Sequence, residues 1–219
     1  MRARLRSYDY KIFVIGPFQA GKTTFIHTLD PQTLSIERDM KRPHRGEQST
    51  TTTAFDQGQI MWVRKTSTDM GLIVPKKEFT KEASEYNGWT TKAIELKGAP
   101  GQLHFKFIRE TMMEGANGVI FVIDSSDPAS IGDAMAILAE VEARLGQIPM
   151  EIVANKQDRL DAASPDSVAS WFGKAETFGM CAKDRISCKD ALCKLLVRLD
   201  HMNTTSDVET IEPRLEQTI

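Results

Sequence analysis

Cysteine is scarce in this sequence of 219 residues: Cys181, Cys188 and Cys193 are an odd set with no C-x-x-C spacing. That excludes a disulfide framework or a cysteine zinc site and points to a reducing compartment. No apolar run approaches the roughly 18 residues of a membrane-spanning helix. Charge of one sign is not in excess, since 28 Lys and Arg stand against 30 Asp and Glu, a formal net charge of −2. A generically basic nucleic-acid binder is thereby excluded. The opening MRARLRSYDY has neither an apolar signal-peptide core nor a glycine after Met1, and the closing EPRLEQTI has no prenylatable cysteine. The expectation is a cytoplasmic protein without an integral membrane segment. His27, His44, His104 and His201 are too scattered to suggest a metal site.

What is present is an ordinary globular balance, 41% hydrophobic and 26% charged, enough to bury one core without a metal or disulfide staple. Arg2, Arg4 and Arg6 make a short basic arm over 1–8, either a frayed end or a site of weak attraction to anionic lipid or a partner. A domain is expected over 9–200 and a polar tail over 201–219. Lys11 to Gly16 reads as a buried strand, and a helix from Lys22 to about Leu29 is stopped by Asp30-Pro31. Pro31 to Thr53 is polar and aperiodic, a long exposed loop. Ala54–Val63 and Thr90–Leu96 read as strands, with an insertion or long hairpin over 64–89.

Further along, Gly118–Asp124 and Met150–Ala154 are apolar strands. Pro128–Leu145 is a helix with Ile131, Met135, Leu138, Val141 and Leu145 on one face, and Ser164-Pro165 opens a shorter one. A strand near Thr177–Ala182 precedes a last helix from Ser187 to about Leu199, on which Cys188 and Cys193 act as buried small hydrophobes. Met112-Met113 and the apolar residues of Phe105 to Ile108 read as packing. Alternating strands and helices predict an α/β fold with a mainly parallel six-stranded sheet and helices on both faces.

Two motifs carry chemistry. Gly16-Pro17-Phe18-Gln19-Ala20-Gly21-Lys22-Thr23 fits G-x-x-x-x-G-K-[ST] between a strand and a helix, the context a phosphate loop requires. Its backbone N–H groups and the helix start would cradle phosphates, with Thr24 adjoining. Lys22 would neutralise the β- and γ-phosphates, and Thr23 would offer a hydroxyl to Mg²⁺. Asn155-Lys156-Gln157-Asp158 follows a later strand, where ligands sit in open α/β sheets. Asp158 can accept from both N1–H and the 2-amino group of guanine, donors that adenine does not offer in that arrangement. Lys156 can lie along the base while Asn155 braces the loop.

These residues, with Thr51–Gly58, Gly98-Ala-Pro-Gly101-Gln102 and Gly118–Pro128, resemble Ras-like small GTPases over about 9–200. Within that superfamily they are most similar to prokaryotic Ras/Arf-like GTPases of the gliding-polarity and Roadblock-associated groups. The resemblance implies a single Ras-like P-loop domain that hydrolyses GTP to GDP with Mg²⁺ and acts as a switch. It also implies an effector, an exchange factor and an activating protein, Roadblock-type partners among them. Two switch loops follow. Thr52, with Thr51 as the alternative, matches the Mg²⁺-binding threonine of the first, although a threonine run also suits a strand start. Gly101 joins the phosphate site in the second. Gln102 there matches the glutamine that orients the attacking water, the bland alternative being a solvated loop residue. Cys181-Ala182-Lys183 resembles the third base-contacting loop, whose backbone N–H meets the guanine O6.

The sequence departs from the pattern twice. The usual D-x-x-G is here Gly98-Ala-Pro-Gly101, so the carboxylate that holds a Mg²⁺-bound water is missing. Asp56 is either its replacement or a polar residue at a strand edge. Phe18 occupies a phosphate-loop position where a glycine would leave room for a partner's arginine, so slow intrinsic hydrolysis is expected. The rival readings are a nucleotide-binding scaffold that barely hydrolyses, and an ATP-using P-loop enzyme, against which Asn155–Asp158 and the lack of an evident lid segment count.

Overall fold

The architecture follows from strands whose successive side chains are apolar on both faces. A computed structural model describes residues 8–39, 50–173 and 176–209, with the side chains of 36–39, 50–54 and 204–209 outside that description. The strands are β1 (Tyr10–Ile15), β2 (Leu34–Asp39), β3 (Thr50–Arg64), β4 (Leu72–Pro75), β5 (Thr90–Gly98), β6 (Gly118–Asp124), β7 (Met150–Asn155) and β8 (Phe178–Gly179). The helices are α1 (Lys22–Leu29), α2 (Lys76–Lys81), α3 (Lys106–Met113), α4 (Ile131–Leu145), α5 (Pro165–Trp171) and α6 (Arg185–Glu209). The strands form one sheet in the order β2-β3-β5-β1-β6-β7-β8, with β4 paired to β3. The run from β5 to β8 is parallel, while β2, β3 and β4 join antiparallel.

Period-two alternation divides the core into two layers. Ile12 and Val14 of β1 and Ile120 and Val122 of β6 face α1 and α6, packing with Phe25, Ile26, Leu192 and Leu195. Phe13, Ile15, Val119, Phe121 and Ile123 face the other way, onto Met113, Ile137, Val141 and Val168. A smaller cluster of Met61, Val63 and Val74 lies under Phe79, Tyr86 and Trp89, so the 64–89 segment carries β4, α2 and an aromatic cap of its own. Among the described residues no helix is long and apolar enough to cross a membrane.

Among the described residues the sheet has eight strands where the sequence predicts six, because two short ones join it on the antiparallel side. The first of them, β2, occupies part of the segment read as an exposed loop from Pro31 to Thr53. Leu34–Asp39 is polar enough to look like a loop, yet as an edge strand it needs only backbone pairing, and it takes β3 as its partner. Of the rest, Thr50 to Thr53 open β3, while 40–49 with Arg42, Pro43, His44, Arg45 and Gly46 lies outside the described residues, as do the arginines at 2, 4 and 6 and the tail from 210. On α4 the buried stripe runs through Ala134, Ile137, Leu138 and Val141, while Met135 is exposed. Ile137 belongs to the buried stripe although it lies off the face that the sequence pattern predicts. The strand before the last helix is only Phe178–Gly179, and α6 runs past Leu199 to Glu209.

Cys188 and Cys193 are buried, and burial pushes both thiols up to about 12, so neither is a nucleophile.

Candidate functional site

All the motifs converge at the C-terminal ends of the parallel strands. β1 ends at Ile15 and the chain turns sharply at Gly16, where a Cβ would lie 1.9 Å from the Val122 carbonyl oxygen. Only glycine allows that approach, and it sets the loop against β6. Gln19 takes a left-handed φ of 60°, and Gly21 caps α1 in the same region. The loop thus wraps towards a helix start, whose first amides lack intrahelical acceptors and favour an anion. Lys22 is buried at its centre and donates to the carbonyls of Gly16 at 3.0 Å and Pro17 at 2.6 Å. Burial lowers its pKa to about 7, opposed by the charge of Asp56 and assisted by that of Arg109.

Asp56 is 2% exposed and stands on β3 directly opposite Gly98 of β5. Its Oδ2 accepts from the Thr23 hydroxyl at 2.7 Å, and its Oδ1 accepts from Ser35 on β2, whose hydroxyl meets His27 Nε2 at 2.7 Å. A Cβ at position 98 would come within 3.1 Å of Asp56 Oδ2. An aspartate there would crowd a second carboxylate onto the first, so the glycine and Asp56 are complementary. Thr23 and Asp56 form a hard oxygen-donor pair beside the phosphate loop, the donor set that suits Mg²⁺ completed by phosphate oxygens and water. Among the described residues no group of three His, Cys, Asp or Glu side chains is placed to hold a metal, which such a phosphate-assisted site does not require.

The second motif is tied physically to the first. Asn155 donates through Nδ2 to the Ala20 carbonyl at 2.7 Å and accepts through Oδ1 from the Ala182 N–H at 2.8 Å. One buried amide therefore staples the phosphate loop, the 155–158 loop and the 181–183 loop together. Lys156 is left-handed, with φ 67°, and pairs with Asp124 at the end of β6. Asp158 is exposed at the mouth of this corner.

Residues 9–184 match the family Elongation factor Tu GTP binding domain. The chain belongs to this GTP-binding family. It is 24% identical over 206 residues to ADP-ribosylation factor-like protein 3 of Saccharomyces cerevisiae, covering 88% of this chain and 86% of that protein. It is 28% identical over 154 residues to the uncharacterised protein MJ1339 of Methanocaldococcus jannaschii, covering 70% and 74%. To ADP-ribosylation factor-like protein 3 of Chlamydomonas reinhardtii it is 26% identical over 104 residues, 47% of this chain and 57% of that one. The family match gives the chain a guanine nucleotide as its ligand, and the Arf-like relatives agree with a P-loop domain of this kind.

The fold of this GTP-binding protein brings nearly every candidate residue to one edge. Gly16, Pro17, Ala20, Gly21, Lys22 and Thr23 form the loop, Phe18 and Gln19 are half-buried at its tip, and Thr24 sits in the first turn of α1. Gly101 packs on that tip so closely that a Cβ would fall 2.4–2.5 Å from the Pro17 and Phe18 backbone, so the loop carrying Gln102 lies against the phosphate loop. Thr51 and Thr52 belong to β3 and pair with Arg38 and Glu37 of β2, and their side chains lie outside the described residues. Of the 181–183 loop, the Ala182 N–H is engaged by Asn155, while the Cys181 N–H meets the Ser187 hydroxyl at 3.3 Å. Phe107, read as packing, is 79% exposed on α3.

Several side chains of the site carry no motif. Ser35 holds Asp56 from the edge strand β2, and His27 on α1 engages the Ser35 hydroxyl in turn. Asp124 engages Lys156, and Gln157 donates to Ser125 and to the Ala163 carbonyl, both at 2.9 Å. Arg109 is buried beneath the Gln102 loop. A signal for it does exist: Arg109 lies one helical turn before buried Met113, a charge on the apolar stripe of α3.

Proposed function

We propose that this GTP-binding protein hydrolyses GTP to GDP and phosphate with Mg²⁺ and works as a molecular switch. The observation that carries the proposal is the Asp56–Thr23 pair opposite Gly98, which offers a carboxylate where the sequence pattern lacks one. Thr23, Asp56 and the threonine at 52 are the residues that would hold Mg²⁺, which would supply positive charge beside the phosphates. Lys22 and the backbone amides of 16–24 neutralise the transferring phosphoryl group. Gln102 orients the attacking water. Asp158 selects guanine. With Phe18 at the loop tip, unaided turnover is expected to be slow, roughly 10⁻⁴ to 10⁻³ s⁻¹ as for an unassisted Ras-type site. The likeness to prokaryotic Ras/Arf-like GTPases supports a cytoplasmic switch with an effector, an exchange factor and an activator, Roadblock-type proteins among them.

Single-turnover assays with GTP and ATP test the reading. Phosphate release from GTP alone supports it. Tight GTP binding without release would leave the scaffold reading, for which the glycine at position 98 speaks. Release from ATP would overturn the base assignment.

Two variants probe the parts. Asp158→Asn is expected to weaken GTP binding at least tenfold, because a carboxylate that receives two donors is worth several kcal/mol against its neutral amide. Titration with a fluorescent GTP analogue reads this, and unchanged affinity refutes the role of Asp158. Asp56→Asn keeps the shape but removes the charge, so the Mg²⁺ concentration needed to retain bound GDP should rise roughly tenfold. The readout is GDP release across a Mg²⁺ titration, and an unshifted midpoint in a folded variant would eliminate Asp56 as the substitute carboxylate.

A further inference from the structure

Arg109 is 1% exposed, and all five of its N–H bonds are used. Nη1 donates to the carbonyls of Gln102 at 2.6 Å and Pro100 at 3.4 Å, and Nη2 donates to that of Leu103 at 3.2 Å. The remaining two, from Nη2 at 2.8 Å and Nε at 3.2 Å, clasp both carboxylate oxygens of Glu140 on α4. Three carbonyls of one four-residue stretch are thus gathered on one cation, which is itself fixed by a bidentate partner on a rigid helix. The opposite side of the same stretch rests on the phosphate loop through Gly101. The loop is clamped between the guanidinium and the phosphate cradle.

We propose that Arg109, held by Glu140, is the positioning residue of this loop, fixing the backbone of 100–103 so that Gln102 is presented to the terminal phosphate of bound GTP. The inference rests on the reading of Gln102 given above and adds the device that sets it. Stability alone does not call for the pair, since a well-packed apolar pair often folds as well or better than a buried ion pair. What an apolar pair cannot do is hold three carbonyls at fixed distances. Lysine cannot either: its ammonium is a single point with three donors and cannot span a carboxylate and three carbonyls. Arg109 also lies near enough to Lys22 for its charge to be felt there. A small displacement of a water-positioning group can cost about a hundredfold in rate.

The test is a double-variant cycle on the full chain loaded with GTP and Mg²⁺, comparing wild type, Arg109→Lys, Gln102→Ala and the pair combined. Single-turnover rates are read alongside GTP and GDP affinities and thermal melts. Arg109→Lys is expected to slow hydrolysis about 10- to 100-fold, with both affinities within about threefold of wild type. In the Gln102→Ala background it should add nothing. Glu140→Gln should show a smaller loss in the same direction, and if Arg109→Lys does not fold, Glu140→Gln and its double with Gln102→Ala carry the same comparison. Losses that multiply in the double variant overturn the proposal, as does weakened nucleotide binding with an unchanged bound-state rate. If Gln102→Ala slows hydrolysis and Arg109→Lys does not, this inference fails alone. If Gln102→Ala leaves the rate unchanged, the role of Gln102 fails and the inference falls with it.

Discussion

Lys22→Met is expected to lower GTP affinity by roughly 10²–10⁴-fold. Two charge-assisted hydrogen bonds to phosphate are lost, each worth about 1.5–3 kcal/mol. The loss should depend on pH in a way that identifies its cause. In the nucleotide-free protein, burial lowers the Lys22 pKa to about 7, with Asp56 opposing and Arg109 assisting. Between that value and the ordinary 10.5, the unfolded chain binds a proton that the folded one does not, so Lys22 makes the free protein less stable as pH falls towards 7. Phosphate beside the ammonium restores its charge. Binding above pH 7 must therefore take up a proton, and wild-type affinity should decline as pH rises further. Calorimetry at pH 8.5 in buffers of different ionisation enthalpy should find uptake approaching one proton per GTP in the wild type and none in Lys22→Met. Equal uptake in both would assign the proton to another group.

The site was legible in the sequence wherever it is built from contiguous residues. Gly16–Thr23 and Asn155–Asp158 each need a fixed spacing within one turn, and the apolar runs Lys11–Ile15 and Gly118–Asp124 fix the strands that carry them. Contacts set by strand register were less accessible. Asp56 faces Gly98 because β3 and β5 pair antiparallel in one particular register, and no local pattern encodes an alignment between segments about forty residues apart. Ser35 reaches Asp56 only because β2 forms, and β2 is an edge strand whose polar Ser-Ile-Glu-Arg-Asp sequence shows no core periodicity. For Arg109 the signal, a charge on the apolar stripe of α3, is a weak one. Its burial depends on Glu140 and on three carbonyls that the chain path brings together, whereas a charge in an amphipathic helix is ordinarily solvated.

The same absence of local signal hides the anchor of α6, where the second large effect is expected. Asp200 pairs with Arg64 at the end of β3 and Lys92 on β5, and it accepts from the Tyr10 hydroxyl at 3.1 Å. Burial alone would raise its pKa, but hydrogen bonds from Lys92 and Arg64 prevail and hold the carboxyl below the usual carboxylate range. Asp200→Asn leaves buried Arg64 facing a neutral amide. It should cost about 2–4 kcal/mol, below the full penalty of a completely buried pair because Asp200 is partly exposed. The pH dependence follows from the depressed pKa. The stabilisation is complete above the unfolded value of about 3.9 and is lost as pH falls through the lower folded value. Denaturant unfolding should therefore show a constant gap between wild type and variant from pH 5 to 8, narrowing below pH 4. Lys92, whose pKa is raised against the opposing effect of its own burial, keeps its contribution up to about pH 10 and loses it only beyond. The ion pairs sit at the end of β3 and β5 remote from Gly98, since Arg64 is in register with Thr90. GTP affinity of the folded variant should accordingly stay within about twofold of wild type. A gap that persists unchanged to pH 3 would show that the Asp200 charge is not its source.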